Sequence, residues 1–296
     1  MADDGEREAA ATEGPAPLDL TLPGGRLRAH RSGDPAAPTV IAIPGLSSNS
    51  RAFDALGRRL AGGGRCMVAL DLRGRGRSED TGAGTYGWPS HARDVLAAAA
   101  ALGAGRVDLV GHSMGAFVAL QAAAAAPARI RRIVLVDAAG PPEEESLDTI
   151  RRAVDRLGTV MPSADDYVDR VRALDVVVPW DESWERSFRY ELEPVADGVR
   201  ARTSKSAVME DYDWGAEHDA RSLWPQLHCP VLVVRAGLPI VPDGGFILRA
   251  SDRDALLASV PGAEAVEVEA NHYGVLTHRT TEDAISAFLG GPEPVL

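Results

Sequence analysis

Val107-Asp108-Leu109-Val110-Gly111-His112-Ser113-Met114-Gly115, running on into the alanine-rich segment that ends at Ala126, is the stretch on which the fold turns. A short aliphatic run gives way to a glycine-flanked serine and then directly to a segment dominated by alanine, the strongest helix former. The pattern reads as strand, sharp turn, helix, and the turn has the form G-x-S-x-G. At such a turn the serine takes a strained backbone conformation. The flanking glycines are needed because a side chain at either place would collide with the neighbouring strand or helix. The hydroxyl is lifted clear of the sheet, and the next backbone N–H lies at a helix N-terminus, where developing negative charge is favoured. Ser113 is therefore the candidate nucleophile; the bland alternative is a glycine-serine turn without chemistry.

Outward from this stretch, similar apolar runs recur at residues 39–43, 67–70, 133–136, 231–234 and 265–268. Each ends near a Gly, Asp or Asn turn, and helical spacing follows at 89–102, 114–126 and 281–289. Continuous apolar strands alternating with helices predict a largely parallel sheet with helices on both faces. Residues 18–30, which alternate and are split by Pro23-Gly24-Gly25, read as a hairpin ahead of it. The alternation breaks once. Between Asp137 and about Gln226 no strand is evident, and four amphipathic stretches (144–157, 164–174, 181–191 and 203–209) predict an all-helical insertion. The expected organisation is a disordered acidic tail over 1–16, a core from 17–137 and 227–296, and a helical cap over 138–226.

Composition narrows the function. The chain has 296 residues, 45% hydrophobic and 25% charged, which is ordinary for a globular protein. With 43 acidic against 31 basic residues its net charge is -12, and Lys205 is the single lysine. A surface of that sign repels polyanions, so no nucleic-acid partner is expected. Cys66 and Cys229 lie far apart in apolar runs and read as buried, reduced thiols. No His/Cys/Asp/Glu cluster has metal-ligand spacing, so neither metal nor other cofactor is expected. The N-terminal segment lacks the form of a signal peptide and no apolar run can span a bilayer, so a cytoplasmic protein without a membrane partner, monomeric or homodimeric, is the expectation.

Four motifs in order carry a resemblance to the α/β-hydrolase superfamily, and it extends over nearly everything from Leu18 to Leu289. Ile43-Pro44-Gly45-Leu46 is similar to the family's oxyanion turn, although Pro44 stands where His is usual. Residues 71–78, Asp-Leu-Arg-Gly-Arg-Gly-Arg-Ser, resemble its D-x-R-G-x-G-x-S loop; residues 111–115 resemble its nucleophile turn; and Asn271-His272-Tyr273 falls where the histidine follows the last strand. The resemblance implies an eight-stranded, mostly parallel α/β sheet with a helical cap after the sixth strand. It also implies His272 as general base and the Leu46 and Met114 N–H groups as oxyanion donors. The acid stays open between Asp137, at the end of the sixth strand and preferred, and Asp243, which arrives several residues late after the seventh. Asp71 and Arg73 read as loop ties, Arg75 and Arg77 as solvated or ion-paired, and His112 as pocket lining or packing.

Seven of the 15 aromatic residues lie between Tyr167 and Trp214, inside the expected cap. Trp180, Trp184 and Tyr190 are taken as an apolar roof over Ser113, against the plainer reading that they build the cap's own core. The expected function is cofactor-free serine hydrolysis, of the esterase or lactonase kind, of a carboxylic ester, lactone or thioester of a hydrophobic small molecule. The alternatives are carbon–carbon bond hydrolysis or perhydrolysis on the same residues, or a hydrolase-like ligand receptor.

Overall fold

The computed structural model of the protein describes residues 14–291. The expected tail falls outside the described residues as far as residue 13, and Ala16 already begins the first strand. In chain order the elements are β1 (Ala16–Leu22), β2 (Gly25–Ser32), β3 (Thr39–Ile43), α1 (Asp54–Gly62), β4 (Cys66–Leu70), α2 (Trp88–Ala101), β5 (Val107–His112), α3 (Met114–Ala125) and β6 (Ile130–Val136). Then come α4 (Glu144–Asp155), β7 (Val160–Met161), α5 (Ala164–Arg172), α6 (Glu182–Tyr190), β8 (Leu192–Val195), β9 (Gly198–Ala201) and α7 (Lys205–Glu217). β10 (Val231–Ala236), α8 (Ala250–Ser259), β11 (Glu264–Val268), α9 (Gly274–Thr277) and α10 (Arg279–Gly290) complete the chain.

Eight strands form one sheet in the order β1-β2-β4-β3-β5-β6-β10-β11. The β1–β2 hairpin and the β2–β4 pair are antiparallel, and every later neighbour is parallel. β4, β5, β6 and β10 are buried along their whole length, as strands covered on both sides must be. Successive side chains point to opposite faces, so each apolar run feeds two cores. Ile41, Val68, Leu109, Ile133 and Val233 pack with α2 and α3. Val40, Met67, Val110, Val134 and Val234 pack with Leu56 of α1 and Ile285 and Leu289 of α10.

The segment between β6 and β10 is not all-helical. Its four helices were legible, but β7, β9 and β8 form a three-stranded antiparallel sheet beside them. The cause is local: Ala196-Asp197 is a two-residue turn that closes a hairpin in which Val195 faces Gly198, and Gly198 takes φ 139. Four-residue strands carrying Glu193, Pro194 and Arg200 have no apolar alternation strong enough to announce them. Cys66 is buried and Cys229 only half-buried, a correction for the latter; both are free thiols.

Candidate active site

Ser113 stands between β5 and α3 at φ 56, ψ -127, a left-handed conformation that β-carbon-bearing residues rarely adopt. The glycines on each side make it possible. A Cβ on Gly111 would run into the Gly115 backbone, and one on Gly115 into the Ile43 carbonyl. Ser113 N–H donates to Val136 O at 3.0 Å, pinning the turn to the neighbouring strand. Although Ser113 holds the N-cap position of α3, its side chain makes no capping bond. The hydroxyl is left for the cavity above.

The turn after β3 closes over this serine. Ser48 N–H donates to Gly45 O at 3.1 Å, leaving Leu46 and Ser47 at the corner. A Cβ on Gly45 would stand 3.1 Å from Ser113 Cβ and 3.5 Å from its Oγ, so a side chain here would crowd the serine and glycine eases the close approach. Leu46 N–H has no acceptor among the described residues. Met114 N–H, the first of α3, has none within its helix. Both expected oxyanion donors are thus free and flank the serine.

Asp137 follows β6 at φ 51, beside the end of β10. Its N–H donates to Val234 O at 2.7 Å, and its Oδ1 accepts the Ala236 N–H at 2.9 Å. Oδ2 faces His272 Nδ1 at 2.8 Å, and both side chains are buried. Asp243, the alternative acid, is exposed, with no bond to His272. The sixth-strand carboxylate is therefore the one that can orient the imidazole.

His272 is itself held from two sides. His112 donates its Nε2–H to the His272 carbonyl at 2.9 Å and stacks on the imidazole, ring centres 4.7 Å apart. Asn271 donates to Val176 O and Ile240 O and accepts the Gly274 N–H. Ser113 Oγ makes no hydrogen bond among the described residues, so the serine–imidazole contact is not formed in this structure. Both side chains line one cavity of about 610 Å³, and such contacts commonly tighten only around bound substrate.

The walls of that cavity are mainly apolar, with Met114 and Phe117 from α3 and Ile150, Val154, Trp184 and Phe188 from the segment between β6 and β10. A buried ion pair, Arg156 with Glu191 at 3.0 Å, forms part of the wall. Burial opposes the charge on Arg156, but Glu191 beside it, together with Tyr167 and Tyr273, more than offsets this, and its pKa lies above the ordinary value. No signal in the sequence distinguishes Arg156 from the other arginines between β6 and β10.

With this geometry in place, likeness to known proteins is informative. The family described as alpha/beta hydrolase fold matches residues 38–163. An N-formylmaleamate deformylase from Pseudomonas putida is 38% identical over 204 residues, covering 67% of this chain and 70% of that protein. The chain belongs to the α/β-hydrolase family. A 2-(acetamidomethylene)succinate hydrolase from Mesorhizobium japonicum is 27% identical over 77% of this chain and 82% of its own length. The crystal structure of E-2-(acetamidomethylene)succinate hydrolase superposes with a TM-score of 0.80 at 25% identity, covering 93% of this chain and 99% of that one.

This α/β-hydrolase corrects two expectations from sequence. Trp180 and Tyr190 do not line the cavity, whereas Trp184 and His112 do. Trp180 stacks on Phe188, 5.8 Å between ring centres, beneath the Arg172 guanidinium. Tyr190 is drawn away by a buried carboxylate: its hydroxyl donates to Asp71 Oδ2 at 2.7 Å. Of the two readings for Arg75, solvated or ion-paired, the structure has the second: its side chain has no exposed area and pairs with Asp211 at 2.6 Å. Asp71 and Arg73 do tie loops together, Asp71 through Ser50 and Arg77 N–H, Arg73 through a two-pronged pair with Asp94. Among the described residues no cluster of three metal-ligating side chains occurs and no helix is long and apolar enough to cross a membrane.

The His272–Asp137 pair also fixes a direction for pH dependence. Burial disfavours both charged forms, pushing the imidazole down to about 3 and the carboxyl up to about 7. Below the upper value the pair holds one extra proton. If that proton is on the ring, Nε2 has no lone pair; if it is on the carboxyl, it donates to Nδ1 and again leaves the ring hydrogen on Nε2. Either arrangement removes the base, so raising the pH through about 7 should switch activity on. Ester-hydrolysis kcat/KM measured from pH 5 to 9 is expected to rise across that value; a flat profile would contradict the assignment.

Proposed function

We propose that this hydrolase acts on a carboxylic ester, lactone or thioester of a mainly hydrophobic small molecule, by way of an acyl-enzyme on Ser113. Ser113 Oγ attacks the carbonyl carbon while His272 Nε2 takes its proton, and Asp137 holds the imidazole in the required tautomer. The carbonyl electrons move onto oxygen, where the Leu46 and Met114 N–H groups receive the negative charge. Collapse of the tetrahedral intermediate expels the alcohol or thiol, which is protonated from His272. Water then repeats the sequence and releases the acid. The observation that carries this reading is a serine hydroxyl, free of any cap bond, on the wall of an apolar cavity shared with an imidazole already paired to a buried carboxylate.

The two curated relatives favour a second reading, since both names contain an N-acyl group, formyl in one and acetamido in the other. The same acyl transfer on an amide would leave an amine. A panel of p-nitrophenyl esters from acetyl to octanoyl, together with matched N-acyl compounds, separates the two. On the ester reading kcat/KM rises by up to about fourfold per methylene until the cavity is filled, as burial of about 0.8 kcal/mol per CH₂ requires. Fastest cleavage of acetyl, with no turnover of longer or aromatic chains, would count against a hydrophobic substrate; preferential cleavage of the N-acyl series would favour the second reading.

A further inference from the structure

The candidate oxyanion turn has a support that reaches it from the cap segment. Arg75 Nε–H donates to the Leu46 carbonyl at 3.0 Å, and no other described group donates to that oxygen. Arg75 Nη1 donates to Arg73 O at 3.0 Å, which fixes the base of the guanidinium. Its far side lies 2.6 Å from Asp211 Oδ2, and neither side chain has exposed area. Asp211 belongs to α7, within the segment inserted between β6 and β10. The carboxylate is anchored in turn to the start of α2, accepting the Gly87 N–H at 2.6 Å and the His91 Nε2–H at 2.8 Å.

Charge explains why the arrangement is coupled. A buried guanidinium without a counter-ion is costly, so Arg75 keeps its place only while Asp211 is ionised beside it. Burial would raise the Asp211 carboxyl, yet the His91 hydrogen bond and the Arg75 charge bring it below its ordinary value. Arg75 can then hold Leu46 by its carbonyl, while the N–H of the same residue has no acceptor among the described residues and Leu46 lines the same cavity as Ser113. The peptide plane that carries this N–H is held at its other end, where Gly45 O accepts the Ser48 N–H at 3.1 Å, so with Arg75 on the Leu46 carbonyl both planes about Leu46 are fixed. An oxyanion donor must sit within a few tenths of an ångström of its place to be effective.

We propose that Asp211, acting through Arg75, is a positioning residue for the oxyanion turn, so that the cap segment helps to set the donor geometry at Leu46. The proposal rests on the acyl-enzyme reading above and deepens it. Arg75→Lys keeps a cation for Asp211 but removes the Nε–H that reaches Leu46, and Asp211→Asn keeps the shape but removes the counter-charge. With p-nitrophenyl butyrate, Arg75→Lys is expected to lower kcat about 10- to 100-fold with KM little changed. This is a large part of the roughly 10²- to 10³-fold lost with a whole oxyanion donor. Asp211→Asn is expected to lower it about 10-fold, a fraction of the same effect. Inhibition by a trifluoromethyl ketone, whose serine adduct carries the oxyanion, should weaken in step with kcat/KM.

A packing role alone would lower the melting temperature without that kcat-selective loss. Near-UV circular dichroism establishes which variants fold, and either folded variant decides the matter. Wild-type kcat and wild-type ketone affinity in a folded variant overturn the proposal. Wild-type protein that cleaves no ester and takes up no fluorophosphonate overturns instead the reading on which it stands.

Discussion

Ser113→Ala is expected to lower kcat for an activated ester by about 10⁶-fold, the loss seen when the nucleophile of such a relay is removed, while the protein stays folded. The expectation of an intact fold has a specific basis. Ser113 Oγ makes no hydrogen bond among the described residues and does not cap α3, so removing it breaks no internal bond. Alanine meets the same left-handed backbone as serine at φ 56, and the strain is unchanged. The turn itself is held by the Ser113 N–H to Val136 O bond and by Gly111 and Gly115, all untouched by the substitution. Steady-state hydrolysis and thermal unfolding measured on the same preparation check both halves. Retained activity would remove Ser113 from the chemistry.

Asp137→Asn is the second large effect, with an expected loss of about 10⁴-fold in kcat. The amide is nearly the same size and can stay near Ala236 N–H and His272, but an Asn NH₂ facing the ring would donate to Nδ1. The imidazole hydrogen is then forced onto Nε2, the atom that must accept the serine proton. The parallel Asp243→Asn variant should be indistinguishable from wild type, because Asp243 is exposed and its positive φ of 60 suits asparagine as well as aspartate. Assaying the pair together turns a choice between two carboxylates into a single comparison. Equal losses in both, or a loss only in the Asp243 variant, would contradict the pairing seen at 2.8 Å.

Much of this architecture was legible because its signals are local. The strand at 107–112, the serine turn and the helix after it can be read from the one continuous stretch 107–126. Buried parallel strands such as β6 and β10 announce themselves as unbroken apolar runs. The small β7-β9-β8 sheet was missed because its strands are short and charged, held by a two-residue turn rather than by apolar periodicity. Within the site, Asp137 could be preferred from sequence but Asp243 not dismissed, since the choice depends on which loop lies beside His272. Tyr190 and Trp180 show the same limit from the other side: being aromatic in the cap does not say which way the ring faces, and for Tyr190 a distant carboxylate, Asp71, decided it. Arg75 could not be settled between a solvated and an ion-paired arginine because its partner lies in another part of the fold, on α7. Long-range pairing of that kind leaves no trace in spacing.

Peptide mapping by mass spectrometry after reaction with a fluorophosphonate locates the nucleophile without any assumption about substrate. One adduct per chain is expected, on the peptide containing Ser113, and its formation should slow sharply in Asp137→Asn. An adduct on Ser47 or Ser48, the other serines of the cavity wall near the oxyanion turn, or none at all under conditions where the protein cleaves an ester, would contradict the assignment of Ser113.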